Sequence, residues 1–237
     1  MSRKLNSNQI SVIIFSLYAI LTLVLWQFPF GKVILYPFTI LGTWFHETAH
    51  GFAAMVLGGT FHQLEIFSNG SGWAMYSGDL FLGNIGKALV AAAGPIGPTV
   101  AGALFIISAK NPKYTQAALI ILGLLLIVSA IIWIRSFFGL GIIIAFGVLT
   151  LWAAIKGTPN IKRNMILFLG VQSCLSVYLS IDYLLTKEAY VDGSIHSSDT
   201  GTMAEYLLLP HYVWGYLIIF FSVYTIIKSL SIIYKGK

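Results

Sequence analysis

The residues with the clearest chemical meaning are His46, Glu47 and His50, in the run His46-Glu47-Thr48-Ala49-His50. On a helix, residues four apart share one face, one turn above the other. Two imidazoles so placed can bind one zinc ion, Zn2+. Glu47 is set to the side of that pair, where its carboxylate can take a proton from a metal-activated water. The product would be a nucleophile aimed at a carbonyl. The pattern is specific: with this His and Glu content, chance supplies roughly 0.002 matches in a chain of this length. A structural polar cluster against a neighbouring helix is the competing reading, but it does not require two histidines and a glutamate in register.

A catalytic zinc usually has three protein ligands and one open position. The third must come from elsewhere in the chain. His62, His196 and His211 are available, as are Asp182, near the end of an apolar run, and Asp199, at a plausible helix start after Ser198. Asp182 is the one carboxylate besides Glu47 within an apolar run, which counts for it. Glu188 and Asp192 sit among loop residues and read as solvated. Asp199 is therefore the first candidate and Asp182 the second, close behind it.

The elements that must position these groups are apolar. Hydrophobic runs fall at 9–29, 31–57, 84–108, 116–134, 137–155, 163–185 and 211–233, which predicts an all-α polytopic membrane protein with about seven transmembrane helices. The first run follows Arg3 and Lys4 without a small-residue cleavage site, so it reads as a retained span. Arg135 separates the fourth and fifth runs, which predicts a tight helical hairpin. Residues 59–82 read as a short β-hairpin around Ser68–Gly72. Its edge could take an extended peptide as an added strand. Seven crossings would put the N-terminal tail, the 59–82 segment and the 186–210 segment on one side. The charges then disagree about orientation: Arg3 and Lys4 favour a cytoplasmic N-terminus, the preferred reading, while Lys110, Lys113, Lys156, Lys162, Arg163, Lys235 and Lys237 favour the reverse.

Composition excludes several classes. Only 9% of the 237 residues are charged and 57% are hydrophobic, against about 25% charged in soluble proteins. There is no room for a sizeable soluble domain, and the whole of 1–237 reads as one membrane domain. The net charge of +6 resides mostly at the ends of apolar runs, as interfacial anchors do, and no nucleic-acid partner is expected. Cys174 stands alone, so no internal disulfide can form.

His46–His50 followed by Gly51 in an apolar helix resembles the site-2 protease group of intramembrane zinc metalloproteases. Ala92-Ala93-Gly94-Pro95-Ile96-Gly97-Pro98 resembles that group's Gly-Pro helix, and Ser198 to Gly215 is similar to a compact bacterial peptidase-like branch. The resemblance implies one zinc ion, Glu47 as general base and a membrane-protein substrate cut within or near its transmembrane segment. It also implies a bacterial cell membrane as the setting. Gly94, Pro95, Gly97 and Pro98 are the expected substrate-side wall, since two prolines loosen the backbone beside a water-containing cavity. The group's usual Asn-Pro-x-Asp-Gly ligand stretch is missing; Val191-Asp192-Gly193 is only a partial echo. A zinc-dependent hydrolase of a lipid amide or ester would use the same motif. A non-proteolytic zinc-binding relative would not need Glu47.

Overall fold

The structure is a computed structural model and describes residues 6–191 and 193–235. Arg3, Lys4, Asp192 and Lys237 lie outside them. In chain order the elements are α1 (Ser7–Trp26), α2 (Pro29–Val56), β1 (Thr60–Ile66), β2 (Gly72–Ser77), α3 (Asn84–Ser108), α4 (Pro112–Ile132), α5 (Phe137–Lys156) and α6 (Pro159–Leu179). They are followed by α7 (Ile181–Leu185), β3 (Glu188–Val191), β4 (Ser194–Ser197), α8 (Asp199–Tyr206) and α9 (His211–Lys235). Helix starts follow local chemistry. Asn6 makes a capping box with Gln9, and Asn111 and Thr158 cap α4 and α6 ahead of Pro112 and Pro159.

Five helices, α1, α3, α4, α5 and α9, are long and apolar enough to cross a membrane. The protein is an integral membrane protein. The expected seven spans are not reproduced by this measure, because α2 and α6 carry the polar groups. The run 163–185 is also not one helix. It breaks at Ser180, whose backbone leaves helical geometry at φ −103° and ψ 13°.

Helix directions revise the expected sidedness. Helices α3 to α6 are joined by short turns at 109–111, 133–136 and 157–158, so they alternate up and down. Contacts place α1 parallel to α6: Ser7 lies by Arg163 (3.2 Å), the Tyr18 ring by Phe168, and Thr22 accepts from Gln172 Nε2 at 2.8 Å. The end of α1 and the start of α3 therefore lie at the same end of the bundle. The chain between them, α2 with β1 and β2, enters and returns without crossing. Its contacts agree. Tyr36 lies beside Phe138 at the start of α5, Trp44 donates to Ser129 in the last turn of α4, and Phe52 meets Trp133 just beyond it. The N-terminal end of α1 consequently lies opposite the 59–82 and 186–210 segments, not beside them.

Small residues set the close approaches. Gly123 on α4 faces Gly147 and Leu151 on α5, and Gly102 on α3 faces Gly170 and Cys174 on α6. Strands β1 and β2 pair antiparallel, with Glu65 opposite Trp73 and Ile66 opposite Gly72. The other edge of β1 is held by residues 133–135: the Leu64 N–H donates to Trp133 O, and the Arg135 N–H to Leu64 O. Strands β3 and β4 form a second hairpin, which the sequence did not suggest.

Candidate metal centre

Helix α2 places His46 and His50 one turn apart, with their Nε2 atoms 3.1 Å from each other. His50 Nδ1 lies 2.7 Å from the Val90 carbonyl. A carbonyl can only accept, so Nδ1 carries a proton, which leaves Nε2 as the nitrogen available to a metal. Asp199, in the first turn of α8, brings Oδ2 to 2.9 Å from His46 Nε2 and Oδ1 to 3.2 Å from His50 Nε2. All three donors fall within 4.8 Å of one another. Ligand atoms at about 2.0–2.1 Å from one tetrahedral zinc stand about 3.3 Å apart, so this donor set fits such an ion.

A second observation supports the fit. A Cβ at Gly94 would run into the His50 ring and come within 2.8 Å of His46 Nε2. The glycine keeps clear the space at the Nε2 atoms of both histidines.

Asp199 is held by a chain of hydrogen bonds. The Ser198 hydroxyl caps α8 by accepting from the Gly201 N–H, and donates to Thr186 O. Thr200 Oγ1 donates to Leu184 O, and the Ser198 N–H donates to Lys187 O. These bonds fasten the start of α8 to the segment after α7. The Asp199 N–H donates to the Tyr183 hydroxyl at 3.1 Å. Burial works against the Asp199 charge, but the His50 and His46 imidazoles outweigh it and hold the carboxyl below the usual carboxylate range. Burial first, then the Asp199 and Glu47 charges, push the Tyr183 phenol above its ordinary value, so it keeps its proton.

Two cavities flank the centre. One, of about 350 Å³, lies between α2, α6 and α7 and is bordered by His46, Glu47, Pro95, Pro98, Gln172 and Tyr183. The other, of about 500 Å³, is bordered by His50, Asp199, Trp73, Ala74 and His196, and again by Glu47. Glu47 is itself buried. Strand β2 packs directly against its helix: a Cβ at Gly72 would come 3.2 Å from Glu47 Cγ and 2.7 Å from Thr43 Cγ2.

The profile of the family described as Peptidase M50B-like matches residues 14–229. The chain belongs to the site-2 protease family. No curated protein and no solved structure matches it. Membership makes it a membrane peptidase by family, and that family is zinc-dependent in general.

Within this member the expected site residues separate. His46, His50 and Asp199 converge, and Glu47 borders both cavities beside them. Asp182 is exposed on α7 and stands outside the convergent group. His62 and His196 are exposed, and His62 Nε2 lies by Ser77 Oγ in the hairpin. Gly94 faces the imidazoles, Gly97 abuts Ala49, and Pro95 and Pro98 line the smaller cavity. Sequence reasoning missed Tyr183 and the Val90 carbonyl. Tyr183 follows Asp182, which drew the attention at that helix end, and a main-chain carbonyl leaves no mark in a sequence.

Proposed function

We propose that this protein, as a single integral membrane domain, is a zinc metalloprotease that hydrolyses a peptide bond within or near a transmembrane segment of another membrane protein. The setting we infer is a bacterial cell membrane, after the resemblance of the late segment to a bacterial branch. The observation that carries the reading is the larger cavity. His46, Glu47, His50 and Asp199 form one side of it and strand β2 another.

His46, His50 and Asp199 would hold the zinc ion. When bound, it supplies Lewis acidity, which polarises a carbonyl and lowers the pKa of water. Glu47 accepts a proton from water and later returns it to the departing amine. His50 is kept in the tautomer that offers Nε2 by its bond to Val90. Among the described residues β2 pairs only with β1, and its Gly72–Ala74 segment borders the cavity. An extended substrate can add along it, which exposes the peptide bond that a helix would shield. That favours a peptide over a lipid amide. Pro95 and Pro98, on the smaller cavity, would border the substrate on its other side.

The experiment compares purified variants for zinc content and for cleavage of a membrane-peptide substrate. Glu47→Gln should retain zinc and lose hydrolysis by about 10²–10⁴-fold. Asp199→Ala should lose zinc, whereas Asp182→Ala should keep it. Zinc retained by Asp199→Ala, or full activity in Glu47→Gln, would overturn the assignment.

A further inference from the structure

Beyond Asp199 and Glu47, one further carboxylate borders the larger cavity. It is Glu65, on β1, and Trp73 on β2 borders the cavity with it; both are half-buried. Among the described residues the ion pairs of carboxylates are those of Asp199 with His46 and His50, so Glu65 has no cation partner there. No Lys or Arg borders either cavity beside the centre. Across the larger cavity the titratable side chains outside the centre are His196, Tyr76 and Tyr183. The walls therefore offer a negative charge and an aromatic face, with no fixed positive charge to match them.

Backbone bonding decides how an added strand would meet that carboxylate. Leu64 gives its N–H to Trp133 O and takes the Arg135 N–H on its carbonyl, so it exchanges neither with Ala74, which stands opposite it. Exchanging and non-exchanging pairs alternate along an antiparallel ladder. Glu65 and Trp73, the next pair, therefore bond to each other, and Ala74 turns its N–H and carbonyl to the other edge of β2. A strand added at that edge brings one residue beside Trp73. Residues directly opposite each other share a face of the sheet, so Glu65, Trp73 and that residue form a row. Strands stand about 4.8 Å apart, which puts the new Cβ about 10 Å from that of Glu65. A long side chain laid along the indole spans the gap, and a short one does not.

We propose that Glu65 and Trp73 form a subsite that selects a Lys or Arg side chain in the extended substrate, close to the bond that is cut. The subsite rests on the proposed addition of substrate to β2. The apolar stem lies along the indole, the aromatic face attracts the cation, and the charged head reaches Glu65. Membrane proteins supply such residues where they are needed, since Lys and Arg occur at the ends of transmembrane segments and extend their heads to the interface. Glu65 is then a specificity residue and takes no part in hydrolysis.

The test uses the purified full chain and transmembrane peptides that carry Lys, Gln or Glu singly at successive positions on either side of the cut. At one such position kcat/KM should favour Lys over Gln by about fivefold and over Glu by about tenfold or more. Glu65→Gln should bring the Lys-to-Gln ratio close to one. Glu65→Lys should invert the order so that the Glu peptide is preferred, a gain that misfolding does not produce. Trp73→Leu should lower the ratio about threefold. Binding of the same peptides to Glu47→Gln, followed by fluorescence anisotropy, separates recognition from hydrolysis. If the unsubstituted protein cleaves none of them while Glu47→Gln still binds the Lys peptide best, the subsite stands and the hydrolysis falls. Equal binding of the three peptides, equal cleavage rates, or a Lys-to-Gln ratio unchanged in Glu65→Gln or Trp73→Leu would overturn the subsite.

Discussion

At the residue scale, the centre depends on groups that hold the ligands as well as on the ligands. The Tyr183 hydroxyl takes the Asp199 N–H and borders both cavities. Tyr183→Phe removes that acceptor while keeping the ring, so zinc affinity should fall about tenfold, as measured by competition with a chelating dye. Activity at saturating zinc should largely return, which separates positioning from chemistry. Gly94 acts by what it lacks. Gly94→Ala should weaken zinc binding by about 10–100-fold, because its methyl group enters the space of the imidazole rings. The two histidines and Glu47 were legible from spacing alone. Tyr183 was not, because its role arises from an element far along the chain from α2.

At the element scale, α2 is the unusual helix. It has the length of a span at 28 residues, yet it carries His46, Glu47 and His50 and returns to the end where it began. The apolar run 31–57 marked it as a helix, but hydropathy has no sign for direction or inclination. Direction came from partners: Tyr36 with Phe138, Trp44 with Ser129, Phe52 with Trp133. The β1–β2 hairpin was legible from its aromatic and β-branched residues around an Asn-Gly-Ser-Gly turn. The β3–β4 hairpin was not, since its strands have four residues each and β4 is exposed throughout. Gly72→Ala tests the docking of β2 on α2. The added methyl would push against Thr43 and force the strand from Glu47. Peptide hydrolysis should fall about tenfold or more, since displacements near 1 Å can cost that much, while zinc content measured by atomic absorption stays unchanged.

At the scale of the whole molecule, the candidate metal centre draws on three packed elements. His46 and His50 belong to α2, Val90 and Gly94 to α3, and Asp199 to α8. Binding of an ion to the folded form alone stabilises it by about 2.7 kcal/mol at a concentration of 100 Kd. Chelation in detergent should therefore lower the melting temperature by about 5–10 °C. The shift should persist in Glu47→Gln and vanish in Asp199→Ala, as followed by differential scanning fluorimetry. Loss of the shift in Glu47→Gln would show that the carboxylate helps to hold the metal.

The sequence alone determined what is local or compositional. Low charge and long apolar runs dictate a membrane protein, because bilayer burial is a property of composition. The i, i+4 spacing dictates that two imidazoles share a face, because helix geometry depends on nothing beyond the helix. Tertiary structure decided the rest. It brought Asp199 rather than Asp182 to the histidines, because the path of α7, β3, β4 and α8 sets which carboxylate returns to α2. It also placed the start of α1 beside α6, so that the start of α1 lies at the end of the bundle opposite the centre. Those outcomes rest on contacts between residues far apart in sequence, and no local pattern records them.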